Sequence, residues 1–173
     1  MFNFLNLNEE IRSIMTNVIE QLQMNNEIYF STRFNEIGKK LWVSLLKEAV
    51  KSHDEHWLAF EIEAKSLMKE FEGSKTPLGG YTIRHVPHTA SETLADGQFN
   101  RIYMIAIATY ALKTGKNFLT IYRAKQSSAP RPESKLLEGK TILASEVIEQ
   151  LSTNNTSFKS EILKPNSGLS VKL

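Results

Sequence analysis

The sequence predicts an α+β fold, mainly helical, in which a helical layer packs with a small antiparallel sheet around a buried central helix. Three observations predict it. From Ile11 to Phe71 apolar residues recur at helical spacing. From Phe99 to Lys113 they cover most of a helix's circumference, which marks a helix buried on several sides. Two short runs, at 81–86 and 118–122, alternate or are β-branched and aromatic in the manner of strands.

The elements follow in order. Ile11, Ile14, Met15, Val18 and Leu22 share one helical face, Asn8 is placed to cap that helix, Glu9 and Glu10 suit its positive end, and Asn25-Asn26 ends it. A second helix is expected from about Ser31 to Lys51, with Phe34, Ile37, Leu41, Leu45 and Ala49 along its buried face. Ser52-His53-Asp54-Glu55 has the form of a capping box, with Ser52 as the cap. Trp57, Phe60, Ala64, Leu67, Met68 and Phe71 would continue that third helix to a stop at Gly73.

Then the texture changes. Thr76-Pro77-Leu78-Gly79-Gly80 reads as a turn and Tyr81 to Val86 as a strand. Thr89-x-x-Glu92 reads as a second capping box opening a short helix that Asp96-Gly97 interrupts. The central helix follows and Gly115 ends it. Phe118 to Tyr122 is the second strand, expected to pair with 81–86. Residues 126–139 form a polar loop with Pro130 and Pro132. Thr141 to Leu143 reads as a short strand, and Ser145 to Leu151 as a short helix with Val147, Ile148 and Leu151 inward.

At 173 residues the chain suits one core rather than two. Residues 1–151 are expected to form a single domain. Residues 152–173, rich in Ser and Asn, are expected to be a polar C-terminal arm. The absence of cysteine excludes a disulfide scaffold, a thiolate metal site and a cysteine nucleophile. No apolar run reaches the roughly 18 residues of a membrane span. Because no basic stretch precedes Phe2, Phe4 and Leu5, no secretion signal is expected.

Charge is segregated. Residues 1–74 hold 8 Lys and Arg against 12 Asp and Glu, whereas residues 75–140 hold 10 against 4. Such a chain can stack head to tail, or turn a basic face to a polyanion.

Three clusters bear on function. The four histidines form two pairs of equal spacing, His53 with His56 and His85 with His88, and a single metal ion would need all four to converge. Arg101, in Phe99-Asn100-Arg101, sits at the expected start of the central helix, where the dipole disfavours it without a partner. Asp96 or Glu92 can supply one, the pair Asn100–Arg101 can tie down a loop, or the site can take an anion. Finally, Arg123, Lys125, Arg131 and Lys135 lie in and around Tyr122-Arg123-Ala124-Lys125 and Pro130-Arg131-Pro132. They suit phosphates, a docking loop for a neighbouring acidic surface, or solvent. No phosphate-cradling glycine loop, nucleophile elbow or cofactor motif is present.

The order Phe99-Asn100-Arg101-x-Tyr103, Tyr122-Arg123-Ala124-Lys125, Pro130-Arg131-Pro132-Glu133-Ser134 and a short terminal helix resembles a family of small proteins of tailed bacteriophages and prophages associated with virion structural genes. A weaker likeness extends upstream to Arg33-Phe34 and Leu41-Trp42. The central helix departs from that pattern, because Ile105-Ala106-Ile107-Ala108-Thr109 carries no basic residue. The resemblance implies a setting and no catalytic residues. The expectation is therefore a non-enzymatic virion component, head-associated or a connector, made in the host cytoplasm and contacting other virion subunits or itself. It would need no cofactor, membrane or small-molecule substrate. Two rivals stand beside it. One is a nucleic-acid-binding protein using Arg84, Arg101, Arg123, Lys125 and Arg131, and the other a metal-dependent enzyme using the histidines.

Overall fold

The computed structural model describes residues 1–75, 79–126, 131–154, 162 and 167–173. In chain order the elements are α1 (Glu9–Met24), α2 (Glu36–Ser52), α3 (Glu55–Ala64), β1 (Phe71–Lys75), β2 (Tyr81–His85), α4 (Ala90–Lys113), β3 (Phe118–Arg123), α5 (Pro132–Lys135), β4 (Thr141–Leu143), α6 (Ala144–Leu151) and β5 (Leu169–Lys172).

The fold is α+β with a long central helix. α4 is that axis, and α1, α3, α6 and the strands β3 and β5 pack around it. Its burial explains a departure from the sequence reading. Asp96-Gly97 does not interrupt the helix, which runs unbroken for 24 residues. A mid-helix glycine costs about 1 kcal/mol, and burial of Leu94, Ala95, Phe99 and Ile102 outweighs it. Nor does a capping box form at its start. Thr89 makes no side-chain cap bond, and Glu92 binds Lys125 instead. Among the described residues no helix is long and apolar enough to cross a membrane.

The first helix follows its local signals. Asn8 Oδ1 accepts from the Ile11 N–H at 2.9 Å, and Ile11, Met15, Val18 and Leu22 are buried. α2 starts later than its periodicity suggests, at Glu36, with Asn35 as its cap. Before it the chain is extended: Phe34 bridges Met68, and Asn35 N–H donates to Leu67 O. Gly38 then passes so close to this segment that a Cβ would lie 2.4 Å from Leu67 O. That contact turns the helix so that Trp42, Leu45, Leu46, Ala49 and Val50 face inward. Ile37 and Leu41, expected inside, face solvent.

The third helix is shorter than expected and differently capped. Asp54, not Ser52, accepts from the Trp57 N–H, while Ser52 closes α2. The helix ends at Ala64 and Ser66 turns the chain with φ 51. Phe71 and Gly73 therefore belong to a strand, not to a helix and its stop.

The expected sheet of 81–86 with 118–122 does not form. β2 pairs with β1, antiparallel, as a separate two-stranded ribbon. β3 instead lies in a three-stranded antiparallel sheet of order β4-β3-β5. Leu119, Ile121, Ile142, Leu169 and Val171 form its buried face. Its third strand comes from the segment expected to stand apart as an arm: Leu169–Lys172 pairs with Thr120–Arg123 of its own chain. Pro132, expected in a loop, occupies the first turn of α5, where its missing N–H costs nothing. Of the expected turn at 76–80, residues 76–78 lie outside the described residues, as does Pro130, while Gly79 adopts φ 84.

The first residues strap the two halves together. Phe4 packs on Phe99 and Tyr103, with ring centroids 5.1 and 4.7 Å apart, and Tyr122 Oη donates to Asn3 O at 2.7 Å. Phe2 N–H donates to the buried Glu55 carboxylate at 2.7 Å. Burial holds that carboxyl above its ordinary pKa, against the lowering effect of the Phe2 bond.

Candidate functional site

Most of the cationic side chains singled out in the sequence are committed to the fold. Arg101 is the clearest case. It lies in the middle of α4, not at its start, and is buried. Its guanidinium donates to Leu151 O at 2.8 Å, Glu27 O at 3.2 Å and Thr153 O at 3.3 Å, so it ties the end of α6 to the turn after α1. Burial lowers its pKa to about 10, partly opposed by the Glu27 charge, and it stays protonated at neutral pH. The partners are carbonyl oxygens rather than Asp96 or Glu92. Asn100 beside it donates to Leu169 O at 2.9 Å, securing β5.

Arg123 is directed to Glu138 at 2.7 Å and to Ser167 O at 2.9 Å. Lys125 bridges Glu92 and Asp96. Burial alone would lower the Lys125 ammonium, but the two carboxylates outweigh it and raise its pKa. Arg84 pairs with Glu72 at 3.0 Å. Arg131 and Lys135 alone of these are exposed without an ion pair among the described residues. Of the five cations of the nucleic-acid reading, Arg84, Arg123 and Lys125 are thus ion-paired and Arg101 is buried among carbonyls, so the five do not form one open face.

The histidines are likewise occupied separately. His53 stacks on Trp57 at 4.2 Å where α3 begins, and His85 lies against Phe71 at 4.4 Å in the ribbon. Among the described residues no group of three or more His, Cys, Asp or Glu is placed to hold a metal ion. The convergence that the metal reading requires is not present among them.

What the fold leaves open is the ribbon β1–β2. Its register pairs Phe71 with His85, Gly73 with Ile83 and Lys75 with Tyr81 on one face, and Glu72 with Arg84 and Ser74 with Thr82 on the other. The second face is anchored. Arg33 Nε donates to Glu72 at 2.6 Å, Arg84 binds the same carboxylate, and Val86 N–H donates to Glu70 O at the base. Arg33, with Arg84, holds the Glu72 carboxyl below its ordinary pKa. The first face therefore points away from the body. Ile83 is 77% exposed, Tyr81 76% and Phe71 46%.

Comparison with protein-family models, with curated proteins and with solved structures finds no match for this chain. The alternation of Tyr81, Ile83 and His85 is legible as a strand, but one expected to pair with 118–122 in a small sheet beside the central helix. The signal that would have corrected it is Glu72, between Phe71 and Gly73, whose partners lie 39 and 12 residues away in sequence.

Proposed function

We propose that this protein is a non-enzymatic structural component of a tailed-phage virion, head-associated or in a connector, and that it works through contacts with neighbouring subunits. The observation that carries the contact reading is the outward apolar face of the β1–β2 ribbon. A two-stranded ribbon of five residue pairs is at best marginally stable alone. Leaving Tyr81 and Ile83 in water removes the burial that normally stabilises such strands. A folded chain that keeps this face apolar is suited to having it covered by another protein. The phage setting comes from the resemblance of Thr89 to Leu151 to a family of small phage and prophage proteins associated with virion structural genes. The commitment of Arg101, Arg123 and Lys125 to internal bonds favours a contact protein over one that grips nucleic acid.

The test is detection of the chain by antibody in density-gradient-purified particles released from a producing host. The unchanged chain is expected to co-sediment with the particles. The Ile83→Arg chain is expected to fold, because the side chain is exposed, and to be at least tenfold depleted from them, since a buried unpaired charge is costly. Absence of the unchanged chain from particles would overturn the reading.

A further inference from the structure

We infer that residues 1–6 form a strap whose closure is controlled by Glu55: the strap holds most firmly while that carboxyl carries a proton and loosens as the proton is lost.

Glu55 is 2% exposed, and among the described residues no cation makes an ion pair with it. Its partner from another element is the Phe2 N–H, at 2.7 Å. The charges that act on it are of its own sign, Asp54 at the head of α3 and Asp96 on α4. The cations of this region serve other acids. Lys125 binds Glu92 and Asp96, the Met1 amine acts on the same two, and His56 acts on Glu92. A buried carboxylate without a cation favours its neutral form. Burial accordingly raises the Glu55 carboxyl above its ordinary 4.5, opposed by the backbone N–H groups of Phe2 and Glu55.

The cover over this carboxyl is a segment that can lift. Residues 1–6 belong to neither sheet. Asn3 N–H donates to Ala124 O at 2.8 Å, Tyr122 Oη to Asn3 O at 2.7 Å and Asn6 N–H to Tyr103 Oη at 3.1 Å. Segments held by so few bonds open locally at a small fraction of the cost of global unfolding. Lifting Phe2 withdraws its N–H and admits water to the carboxyl, which returns toward its ordinary pKa. The closed strap therefore binds the Glu55 proton more tightly than the open one. Linkage fixes the sign: closure has its full support below pH 4.5 and loses it as the pH rises through the closed-state value. Tyr103 and Tyr122 do not titrate in that window, because burial raises both above their ordinary 10. Opening uncovers the Phe99 and Tyr103 rings on which Phe4 packs, and it frees the Leu173 N–H from Asn6, so it also loosens the end of β5.

NMR of the full-length chain tests this with two readouts. The Glu55 carboxyl carbon is expected to titrate with a midpoint above 4.5. Protection of the Asn3 and Asn6 amides against hydrogen exchange, corrected for intrinsic rates, is expected to be at least about threefold higher near pH 5 than near pH 7.5. Glu55→Gln keeps an oxygen for the Phe2 N–H and is expected to give equal protection at both. A Glu55 midpoint at or below 4.5 overturns the inference, and so does equal protection in the unchanged chain. Protection that still falls with pH in Glu55→Gln overturns it as well, and assigns the control to Asp96 or His56. Should Glu55→Gln fail to fold by circular dichroism, the unchanged chain decides: the loss of protection must follow the Glu55 titration, and a midpoint elsewhere overturns the inference.

Discussion

At the scale of single residues, the decisive arrangement is Arg101. A cation in the interior of the most apolar helix would be costly if unpaired. It is tolerated because its donors meet three carbonyls, those of Leu151 and Thr153 at the end of α6 and that of Glu27 after α1. Replacing it with a hydrophobe of similar length removes one desolvated charge but strands those acceptors. A buried polar group left unpaired costs about 1–3 kcal/mol, and more than one is left here. Arg101→Met is therefore expected to lower stability by roughly 3 kcal/mol, read as a lower urea midpoint with unchanged slope. Arg101→Lys is expected to recover only part, because a single ammonium cannot reach carbonyls spread as a guanidinium reaches them. An unchanged midpoint for Arg101→Met would show that desolvation dominates. The sequence marked Arg101 as needing partners, but not that they are backbone oxygens up to 74 residues away.

At the scale of elements, helices were the most legible because their signals are local. Asn8 caps α1 as its position suggests, and Val147 and Leu151 face inward on α6. The phase of α2 was misread because Ile37–Leu41 and Trp42–Leu46 both satisfy helical spacing, and only the approach of Gly38 to Leu67 selects the second. The extent of α3 was misread for a related reason. Leu67 to Phe71 is apolar enough for a helix, yet the bridge to Phe34 draws it into extended backbone. Strand pairing is non-local by nature, and the ribbon's orientation depends on one ion cluster, Arg33–Glu72–Arg84. That cluster carries a pH prediction. Glu72 titrates below its ordinary 4.5 because Arg33 and then Arg84 stabilise its charge. A depressed folded pKa contributes stability above the unfolded value and loses it as pH falls through the folded one. The ribbon is thus expected to stay anchored at neutral pH and to loosen below pH 4.5, seen as shifts of the Ile83 and Thr82 amide resonances. Glu72→Gln should loosen it at every pH and abolish that transition. A transition that survives in Glu72→Gln would assign it to another group.

At the scale of the whole molecule, the C-terminal segment changes meaning. As composition, residues 152–173 look dispensable, and a polar arm is the expectation from their Ser and Asn content. In the fold, the last strand closes the sheet behind α4. Leu169 and Val171 are fully buried, Asn100 holds the Leu169 carbonyl, and Leu173 N–H donates to Asn6 in the strap at the other terminus. Composition misled here because four residues suffice for an edge strand when its one neighbour, β3, is supplied by distant chain. Removing residues 167–173 takes away two core side chains, each worth about 2–5 kcal/mol by analogy with large-to-small core changes, together with four ladder pairs. That sum approaches the 5–15 kcal/mol total stability of a typical domain. The truncated chain is therefore expected to lose its cooperative thermal transition, rather than to emerge as a folded monomer released from an assembly. Circular dichroism melting separates the two outcomes. A truncated chain that melts cooperatively within a few degrees of the full-length protein would mean that β5 adds little to the core and is free to pair elsewhere. Loss of the transition would make the last strand part of the domain itself, held by its ladder to β3 and by the burial of Leu169 and Val171.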